Sequence, residues 1–365
     1  MVGPDGTLPL PWLAPVLQRT LQSQHAHALL LHGAQGVGQF ELALTMAQAW
    51  LCEAVEGTAG AENTLRPCGV CASCRLVQAH SHPDLLVLLP EALQEPLGWG
   101  VADGDESTER AAKTKPSQEI KVEAVRAAVA FAQTTSARGR VKVVVLHPAE
   151  RINAISANTL LKTLEEPAGV ARFVLSCAAP DALLPTIRSR CQSVAMALPP
   201  RAQAVEWLAG QGVGDAEVML AAAGGQPQEA LAWARQGIDA AAWARLPALV
   251  RQGQVQSFAA WPLARVIDAL QKLCHDAACA AAGATPRYFP AASIAADAQV
   301  AALAEWMRAL NRIARRAEHP WNAGLVVESL VQQGQRALSP LRRPTAPARP
   351  HSVPSAGPHS VHSRA

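Results

Sequence analysis

A glycine-rich turn between a strand pattern and a helix pattern constrains the fold of this chain most. The apolar run of residues 28–32 predicts a buried strand and residues 39–51 predict a helix, with Gly33, Gly36 and Gly38 in the turn between them. Strand, glycine turn and helix follow in the order of a phosphate-binding loop, G-x-x-x-x-G-K-[ST]. The sequence therefore predicts an α/β protein on a nucleotide-binding scaffold. A glycine-rich turn in another kind of α/β protein is the alternative.

The side chains that give such a loop its chemistry are missing. Gln39 stands where a lysine would reach the phosphates, and Phe40 stands where a serine or threonine would hold magnesium. Glutamine carries no charge for a polyphosphate, and phenylalanine offers no oxygen to a hard cation. A later apolar run, residues 141–146, ends in His147 and Pro148 where an ATPase of this class places acidic residues. Because these losses are far apart in sequence and agree in chemistry, we expect no ATP hydrolysis by this chain alone.

Apolar runs alternate with helical patterns through residues 1–198. Further strands are expected at residues 85–89, 141–146, 172–177 and 193–197, and a helix is expected at residues 120–133. Such alternation predicts a mainly parallel sheet covered by helices. Residues 94–118 are rich in Gly, Ser, Thr and charge and show no periodicity, so they are expected to form a solvated insertion.

Strand patterns end at Pro199. Helical spacing of Ala, Leu, Trp and Arg predicts two all-α segments, residues 199–240 and 241–338, with breaks at glycine- and proline-rich turns. Residues 339–365 are rich in Pro, Ser, His and Arg and are expected to be disordered, because they cannot bury enough apolar surface.

The net charge of +3 is concentrated in that tail. Four arginines and no acidic residue lie in residues 339–365, which leaves one net negative charge on the rest of the chain. A near-neutral body argues against a nucleic-acid binder held by a large basic face, and it permits a local phosphate contact.

The amino-terminal residues and the hydropathy of the chain bear on its compartment. Residues 1–15 carry prolines and Asp5 instead of a basic segment followed by an apolar run, so no signal peptide is expected. No apolar stretch reaches the length of a membrane span. The sequence therefore predicts a cytoplasmic protein, in which thiols stay reduced and clustered cysteines favour metal binding.

Three cysteines form a C-x-x-C-x-x-C motif: Cys68, Cys71 and Cys74. A tetrahedral structural zinc site needs a fourth ligand, for which Cys52 is the preferred candidate and His80 and His82 are alternatives. This predicts a zinc-binding insertion over about residues 52–74. An iron–sulfur cluster is disfavoured because its fourth cysteine would fall at Gln78, and free buried thiols are the remaining alternative. The other cysteines are expected to be small core residues: Cys177, Cys191, Cys274 and Cys279.

Two further motifs support a resemblance to a known family. Residues 158–167 read N-T-L-L-K-T-L-E-E-P, and residues 189–191 read S-R-C just before the strand at 193–197. With the cysteine segment and His-Pro-Asp at residues 82–84, they closely resemble clamp loader subunits of bacterial DNA polymerase III, which belong to the AAA+ class. The resemblance covers approximately residues 20–240, and His-Pro-Trp-Asn at 319–322 is similar to the collar domain of that family.

The resemblance implies an architecture and a set of partners. It implies an AAA+ module over residues 1–198, a helical lid over 199–240 and a helical collar for oligomerisation over 241–338. The partners implied are gamma or tau and delta subunits, with the sliding clamp and primed DNA reached through the assembled complex. No membrane partner is implied.

The resemblance also implies roles for single residues. A degenerate nucleotide loop beside an intact S-R-C motif implies the non-hydrolysing member of the family, with Arg190 as an arginine finger supplied in trans to a neighbouring ATP site. Gln228 stands where active members carry an arginine that contacts the nucleotide. The alternatives are an active clamp loader ATPase, for which the scaffold argues, and a zinc-dependent DNA-binding protein outside replication.

Overall fold

A computed structural model describes residues 1–23, 26–54, 66–100, 116–167, 169–316 and 321–339. The chain divides into two compact units. The first comprises Met1–Ala244 with Arg287–Pro290, and the second comprises Arg245–Pro286 with the residues from Ala291 onward. The predicted domain boundaries at 198, 240 and 338 stay predictions. The predicted tail lies outside the described residues apart from Ser339.

The first unit is built on a parallel sheet of five strands. They are β1 (Ala28–Gly33), β2 (Leu85–Leu88), β3 (Lys142–Leu146), β4 (Ala171–Cys177) and β5 (Gln192–Met196). Their order is β2-β3-β4-β1-β5, and every neighbouring pair is parallel. The predicted parallel sheet is confirmed, and the predicted strand ends differ from the observed ones by one residue at most.

Helices surround this sheet and follow it. They are α1 (Ala14–Ser23), α2 (Gln39–Leu51), α3 (Ala72–Gln78), α4 (Glu91–Gln94), α5 (Val122–Gln133), α6 (Ala154–Glu165), α7 (Pro185–Arg188), α8 (Arg201–Gly210), α9 (Ala216–Ala222) and α10 (Pro227–Arg235). Helix α2 has the predicted bounds. Helix α5 begins two residues later than predicted, because Ile120 instead pairs with Ile152 in an isolated parallel bridge.

Both faces of the sheet are buried. In β1, Leu29 and Leu31 point into a cluster with α1 and α2. Ala28 and Leu30 point into a second cluster, with α5 and α6, on the opposite face. A strand covered on both sides reads as a continuous apolar run, which is why the sequence showed no alternation there. Since all the strands are parallel, the turns after β1, β3 and β4 meet at one edge of the sheet.

The predicted insertion at 94–118 is corrected at its described start. Residues 101–115 lie outside the described residues. Before them, Leu97 and Trp99 pack against the first core cluster, and the Trp99 ring stacks on His80 with centroids 3.9 Å apart. The polar composition of the segment concealed these two side chains, whose burial outweighs the local preference for solvent.

The second unit is helical. Helix α11 (Ala240–Arg251) contains the boundary between the units, and α12 (Leu263–Ala281), α13 (Val300–Ala314) and α14 (Ala323–Ala337) follow it. A Cβ at Gly334 of α14 would lie 2.5 Å from the Trp306 ring, so the close packing of α13 on α14 requires glycine there. As predicted, the chain described after β5 forms helices and turns and no strand. No described helix is both long enough and apolar enough to cross a membrane.

Three of the four cysteines outside the C-x-x-C-x-x-C segment and Cys52 are core residues, as expected. Cys177, Cys191 and Cys274 are buried. Cys279 differs, because it is only partly buried and its Sγ lies 3.8 Å from the Nδ1 atom of His275.

Candidate functional site

A cavity of about 440 Å³ lies where the turns after β1, β3 and β4 meet. Its walls come from the glycine loop and the start of α2, from the residues after β3, and from helix α10. Leu93 and Leu97 close another side. This is the position at which an open parallel sheet binds ligands, so it is the candidate nucleotide site of the chain.

Gln39 uses its side chain to hold the loop together. Its Nε2 atom donates to the carbonyl oxygens of Gly33 at 2.8 Å and Ala34 at 2.6 Å, and the residue is 6% exposed. A lysine at this position extends toward the phosphates. The amide of Gln39 turns back onto the backbone and brings no charge into the cavity.

An aromatic pair occupies the two positions predicted to have lost magnesium ligands. The rings of Phe40 and His147 stack with centroids 4.8 Å apart at 26°. The Nδ1 atom of His147 lies 2.9 Å from the Ser176 hydroxyl. Burial lowers the pKa of His147 to about 4, so its ring is neutral at neutral pH. Neither side chain presents an oxygen, which magnesium requires.

The charges that line the cavity oppose a polyphosphate. Glu41 and Glu150 are two carboxylates on the wall, and Arg151 is the one arginine or lysine among the described lining residues. The Oε1 atom of Glu150 accepts from the Ala178 amide at 3.0 Å, and its Oε2 atom is buried without a hydrogen-bond partner in the described chain. Two carboxylates and one guanidinium thus line the space, so its side-chain charges do not favour an added anion.

Helix α10 contacts the glycine loop directly. The Gln228 amide N–H donates to the Gly36 carbonyl at 3.3 Å, and its side-chain Nε2 donates to the Glu41 carboxylate at 2.5 Å. Gln228 therefore lies at the cavity, where the resemblance implied, and it bonds to the protein. Sequence reasoning did not single out Glu41, because only the folded chain brings it next to a residue 187 positions later.

Two of the loop glycines are required by the backbone packing and conformation of the fold. A Cβ at Gly33 would lie 2.5 Å from the Met196 carbonyl oxygen in β5. Gly38 precedes α2 with a φ of 101°, a conformation that favours glycine. These two glycines would be needed with or without a ligand, so glycine spacing alone does not demonstrate nucleotide binding.

Arg190 lies on the surface between α7 and β5. Its Nε donates to the Glu165 carboxylate at 2.6 Å and its Nη1 donates to the Thr186 carbonyl at 2.9 Å. The side chain is 28% exposed. The next residue, Cys191, is buried in the core cluster beside α6 and anchors the segment. Arg190 is not among the described residues that line the cavity of its own chain.

The four cysteines predicted to bind metal converge. The Sγ atoms of Cys52, Cys68, Cys71 and Cys74 all lie within 4.8 Å of one another. The Cys52–Cys68 sulfur distance is 3.6 Å, and the Cys68–Cys74 and Cys52–Cys71 distances are 3.9 Å. A tetrahedral zinc ion with Zn–S bonds of about 2.3 Å requires sulfur atoms about 3.8 Å apart, whereas a disulfide requires about 2.05 Å. The arrangement fits zinc.

Backbone amides surround these sulfurs. The amide N–H groups of Glu53 and Cys74 donate to the Cys71 sulfur at 3.4 Å, and that of Cys68 donates to the Cys52 sulfur at 3.5 Å. The hydrogen bond with the Cys74 thiol lowers the pKa of Cys52 to about 4 and raises the pKa of Cys74. Donors aimed at sulfur stabilise thiolates, the form that binds metal.

The two histidines considered as alternative ligands have other partners. His80 stacks on Trp99. His82 lies 3.1 Å from the Ser73 hydroxyl through Nε2 and accepts from the Asp84 amide through Nδ1 at 3.0 Å. Ser73 in turn donates to Glu53, which forms an ion pair with Arg138 at 2.6 Å. Neither the role of Glu53 nor that of Arg138 was visible in the sequence, because Arg138 lies 85 residues away.

Comparisons with known proteins agree with these features. The family described as DNA polymerase III, delta subunit, matches residues 11–199. DNA polymerase III subunit delta' of Escherichia coli strain K12 is 30% identical over 284 residues, which cover 72% of this chain and 76% of that protein. The protein of the same name from Pseudomonas aeruginosa is 38% identical over 221 residues, 60% of this chain and 58% of the relative. The alignment thus spans less than two thirds of the Pseudomonas protein.

A solved structure, that of a DNA polymerase III gamma subunit-related protein from Thermotoga maritima, is also similar. It is 15% identical, with a TM-score of 0.41, and the match covers 89% of this chain and 99% of that one.

Proposed function

The chain belongs to the DNA polymerase III delta prime subunit family, and on that premise we propose that it is a non-hydrolysing subunit of a clamp loader. In this proposal it assembles in the cytoplasm with gamma or tau and delta subunits, and the assembled complex places the sliding clamp on primed DNA. The helical second unit is the proposed site of assembly.

The observation that carries the non-hydrolysing assignment is the stack of Phe40 on His147. It fills the positions from which magnesium would be held, and the neutral His147 ring supplies no charge in return. Gln39, Phe40 and His147 therefore offer neither a positive side chain for the phosphates nor an oxygen ligand for the magnesium ion that phosphoryl transfer requires. These features argue against the alternative of an active clamp loader ATPase.

We propose that Arg190 contributes to ATP hydrolysis at the nucleotide site of a neighbouring subunit. Its guanidinium is partly exposed, bonds to Glu165 at the end of α6, and does not line the cavity of its own chain. A guanidinium placed against a transferring phosphoryl group stabilises the charge that develops in the transition state, by about 10³ to 10⁵ in rate in well-studied nucleotide hydrolases. In this proposal Arg190 leaves Glu165 and meets the nucleotide of a neighbouring gamma or tau subunit.

The test is Arg190→Ala in the reconstituted complex. Assembly should remain, because Arg190 is a surface residue, and DNA-stimulated ATP hydrolysis should fall several-fold because one active site loses its finger. Arg188→Ala is the matched control, since Arg188 lies two residues earlier and pairs with Asp181 at 2.7 Å. Equal hydrolysis by the Arg190→Ala and wild-type complexes would remove Arg190 from the mechanism.

The cysteine cluster is proposed to hold one structural zinc ion. Bound zinc would cross-link the end of α2, through Cys52, to the turn and helix α3 that carry Cys68, Cys71 and Cys74. The role is stabilisation of the fold, because four thiolates leave no open position for a substrate.

A further inference from the structure

Four arginines crowd the carboxyl end of α13 in the second unit. A concave surface of about 400 Å³ is lined by Arg308, Asn311, Arg312, Arg315 and Arg316. All five residues are exposed. This basic surface is formed within the second unit and shares no residue with the cavity or the cysteine cluster described above.

The arginines lie on one side of the end of α13. Arg308 and Arg312 are about one turn apart within the helix, Arg315 and Arg316 directly follow its last residue, and all four line the same concave surface. At the helical rise of 1.5 Å per residue, the stretch from Arg308 to Arg316 would span about 12 Å. The cations thus form a short row.

This row lacks acidic partners in the described part of the chain. Arg308 donates to the carbonyl of Ala304, a backbone contact, and none of the four forms an ion pair there with an acidic side chain. Glu305, on the same face one turn earlier, is not paired with any of them. Elsewhere in the chain, arginines such as Arg138, Arg201 and Arg251 do pair with carboxylates.

The helix end alone does not account for the row. Cations near a helix carboxyl terminus are stabilised by the helix dipole, but only within about the last turn. That explains Arg312 and Arg315, since α13 ends at Ala314. Arg308 lies almost two turns before the end, so its place in the row has another cause.

The chemistry of the surface fits phosphate. Arginine presents a planar fork of donors that matches phosphate oxygens two at a time. Asn311 accepts at Oδ1 from Gln271 at 2.7 Å, which leaves its NH₂ group to donate into the concave surface. Roughly two to four successive phosphates of a nucleic-acid strand would span 12 Å.

An aromatic ring beside the row favours a single strand. The indole N–H of Trp321 donates to the Arg316 carbonyl at 2.8 Å, and the side chain is partly exposed. Single-stranded nucleic acid is held by cationic grooves combined with aromatic rings on which bases stack. We propose that the carboxyl end of α13 binds the phosphate backbone of single-stranded nucleic acid. This goes beyond the proposed function and does not depend on Arg190 or on the nucleotide site.

The test uses the full-length chain and a fluorescein-labelled 20-nucleotide single-stranded DNA, with binding followed by anisotropy from 50 to 200 mM salt. Arg312→Glu/Arg316→Glu should weaken binding at 50 mM salt by at least about tenfold. It should also reduce the slope of log K against log salt by about 1.4, since two phosphate contacts are lost. Arg245→Glu/Arg336→Glu is the matched control. It changes the net charge equally at two exposed positions of the same unit, retains the basic tail, and should bind as the wild type does.

Three results would overturn the proposal. An equal loss in both double variants would mean that DNA responds only to net charge or to the tail. Unchanged DNA binding together with failure of Arg312→Glu/Arg316→Glu to assemble with gamma, tau or delta subunits would identify a protein interface instead. Tighter binding of a duplex of the same sequence, lost equally in this variant, would contradict the assignment to a single strand. Circular dichroism of both variants establishes that they are folded.

Discussion

The stacked pair Phe40 and His147 makes the cavity wall part of the core. Phe40 is 7% exposed and packs in the first core cluster, while His147 bonds to Ser176. The stacked rings form a packing contact between the start of α2 and the end of β3. The local stability of the sheet edge therefore depends on the neutral form of an imidazole.

This dependence predicts a loss of stability on acidification. The pKa of His147 is about 4 in the folded chain, because burial disfavours the charged ring, against 6.5 for an exposed histidine. Below pH 6.5 the unfolded chain takes up a proton that the folded chain does not, so the contribution of His147 is complete above pH 6.5 and falls as the pH drops toward 4. At pH 5 the loss is about 2 kcal/mol. His147→Phe keeps the stack and removes the titration.

Urea unfolding at pH 7.5 and pH 5 checks this. The difference in unfolding free energy between the two pH values should be about 2 kcal/mol smaller in His147→Phe than in the wild type. The other titrating groups are common to both proteins and cancel in the comparison. An identical difference in the two proteins would show that His147 is not the group that titrates.

Some functional residues could be recognised from a short stretch of sequence, and others could not. Gln39 and Phe40 were recognisable from their places in a short motif, and Cys52 from its position at a helix end close to three other cysteines. Glu41, Arg138 and Glu165 were not, because each acts through a partner that the fold brings from 25 or more positions away.

At the level of elements, the cysteine segment joins α2 to α3. Cys52 directly follows α2, and Cys71 precedes α3. Gly69 lies in the turn between Cys68 and Cys71 with a φ of 74°, and a Cβ there would lie 2.1 Å from the Gly3 carbonyl oxygen. The turn therefore packs against the amino-terminal residues as well as presenting its sulfurs.

The zinc proposal predicts that Cys71→Ala lowers the zinc content by one equivalent. Loss of one thiolate should also lower the midpoint of thermal unfolding, because metal binding to the folded chain contributes to its stability. Metal analysis of the purified chain measures the first effect and calorimetry the second. Cys279→Ala is the control, since Cys279 lies outside the cluster and is only partly buried. A zinc content equal in Cys71→Ala and the wild type would refute the proposal.

Most elements were predictable from short local patterns of apolar or helix-forming residues. The five strands are short apolar runs, and α2 is a run of helix-forming residues between a glycine and Cys52. The packed residues Leu97 and Trp99 were missed because two apolar side chains in a polar stretch give no period to detect. Their burial depends on the core cluster that already lies beneath them.

For the whole molecule, helix α10 is joined to the glycine loop by hydrogen bonds within the protein. Gln228 connects α10 to Gly36 and Glu41, so no ligand is needed to bridge α10 and the loop. Binding of a ligand to the folded state alone would raise stability by RT ln(1 + [L]/Kd), about 2.7 kcal/mol at 100 times Kd.

We therefore expect 2 mM magnesium-ATP to shift the unfolding midpoint of the isolated chain by less than about 1 °C. A site that bound this nucleotide with a Kd near 20 µM would shift it by several degrees. Differential scanning calorimetry measures the shift, and a gamma or tau subunit treated in the same way is the positive control. A shift of several degrees, or turnover of ATP by the purified chain, would contradict the degenerate site.

The predicted boundary at 240 stays a prediction, and no pattern in the sequence indicated that residues 287–290 group with the first unit. Trp243 explains this grouping. Its indole N–H donates to the Tyr288 carbonyl at 3.0 Å, and its ring stacks on Phe289 at 4.6 Å. Local composition does not reveal a contact between residues that are 45 positions apart in the chain.

Glu165 and the Thr186 carbonyl already restrict the Arg190 side chain to a narrow set of rotamers before any neighbour arrives. Ordering a free arginine costs up to about 2 kcal/mol in side-chain entropy, and much of that cost has been met during folding of this chain. If Arg190 exchanged the Glu165 carboxylate for phosphate oxygens, one anionic partner would replace another. The side chain would then lose little additional conformational entropy. In the proposed role of Arg190, the Glu165 carboxylate would hold the guanidinium in place until a neighbouring subunit is docked.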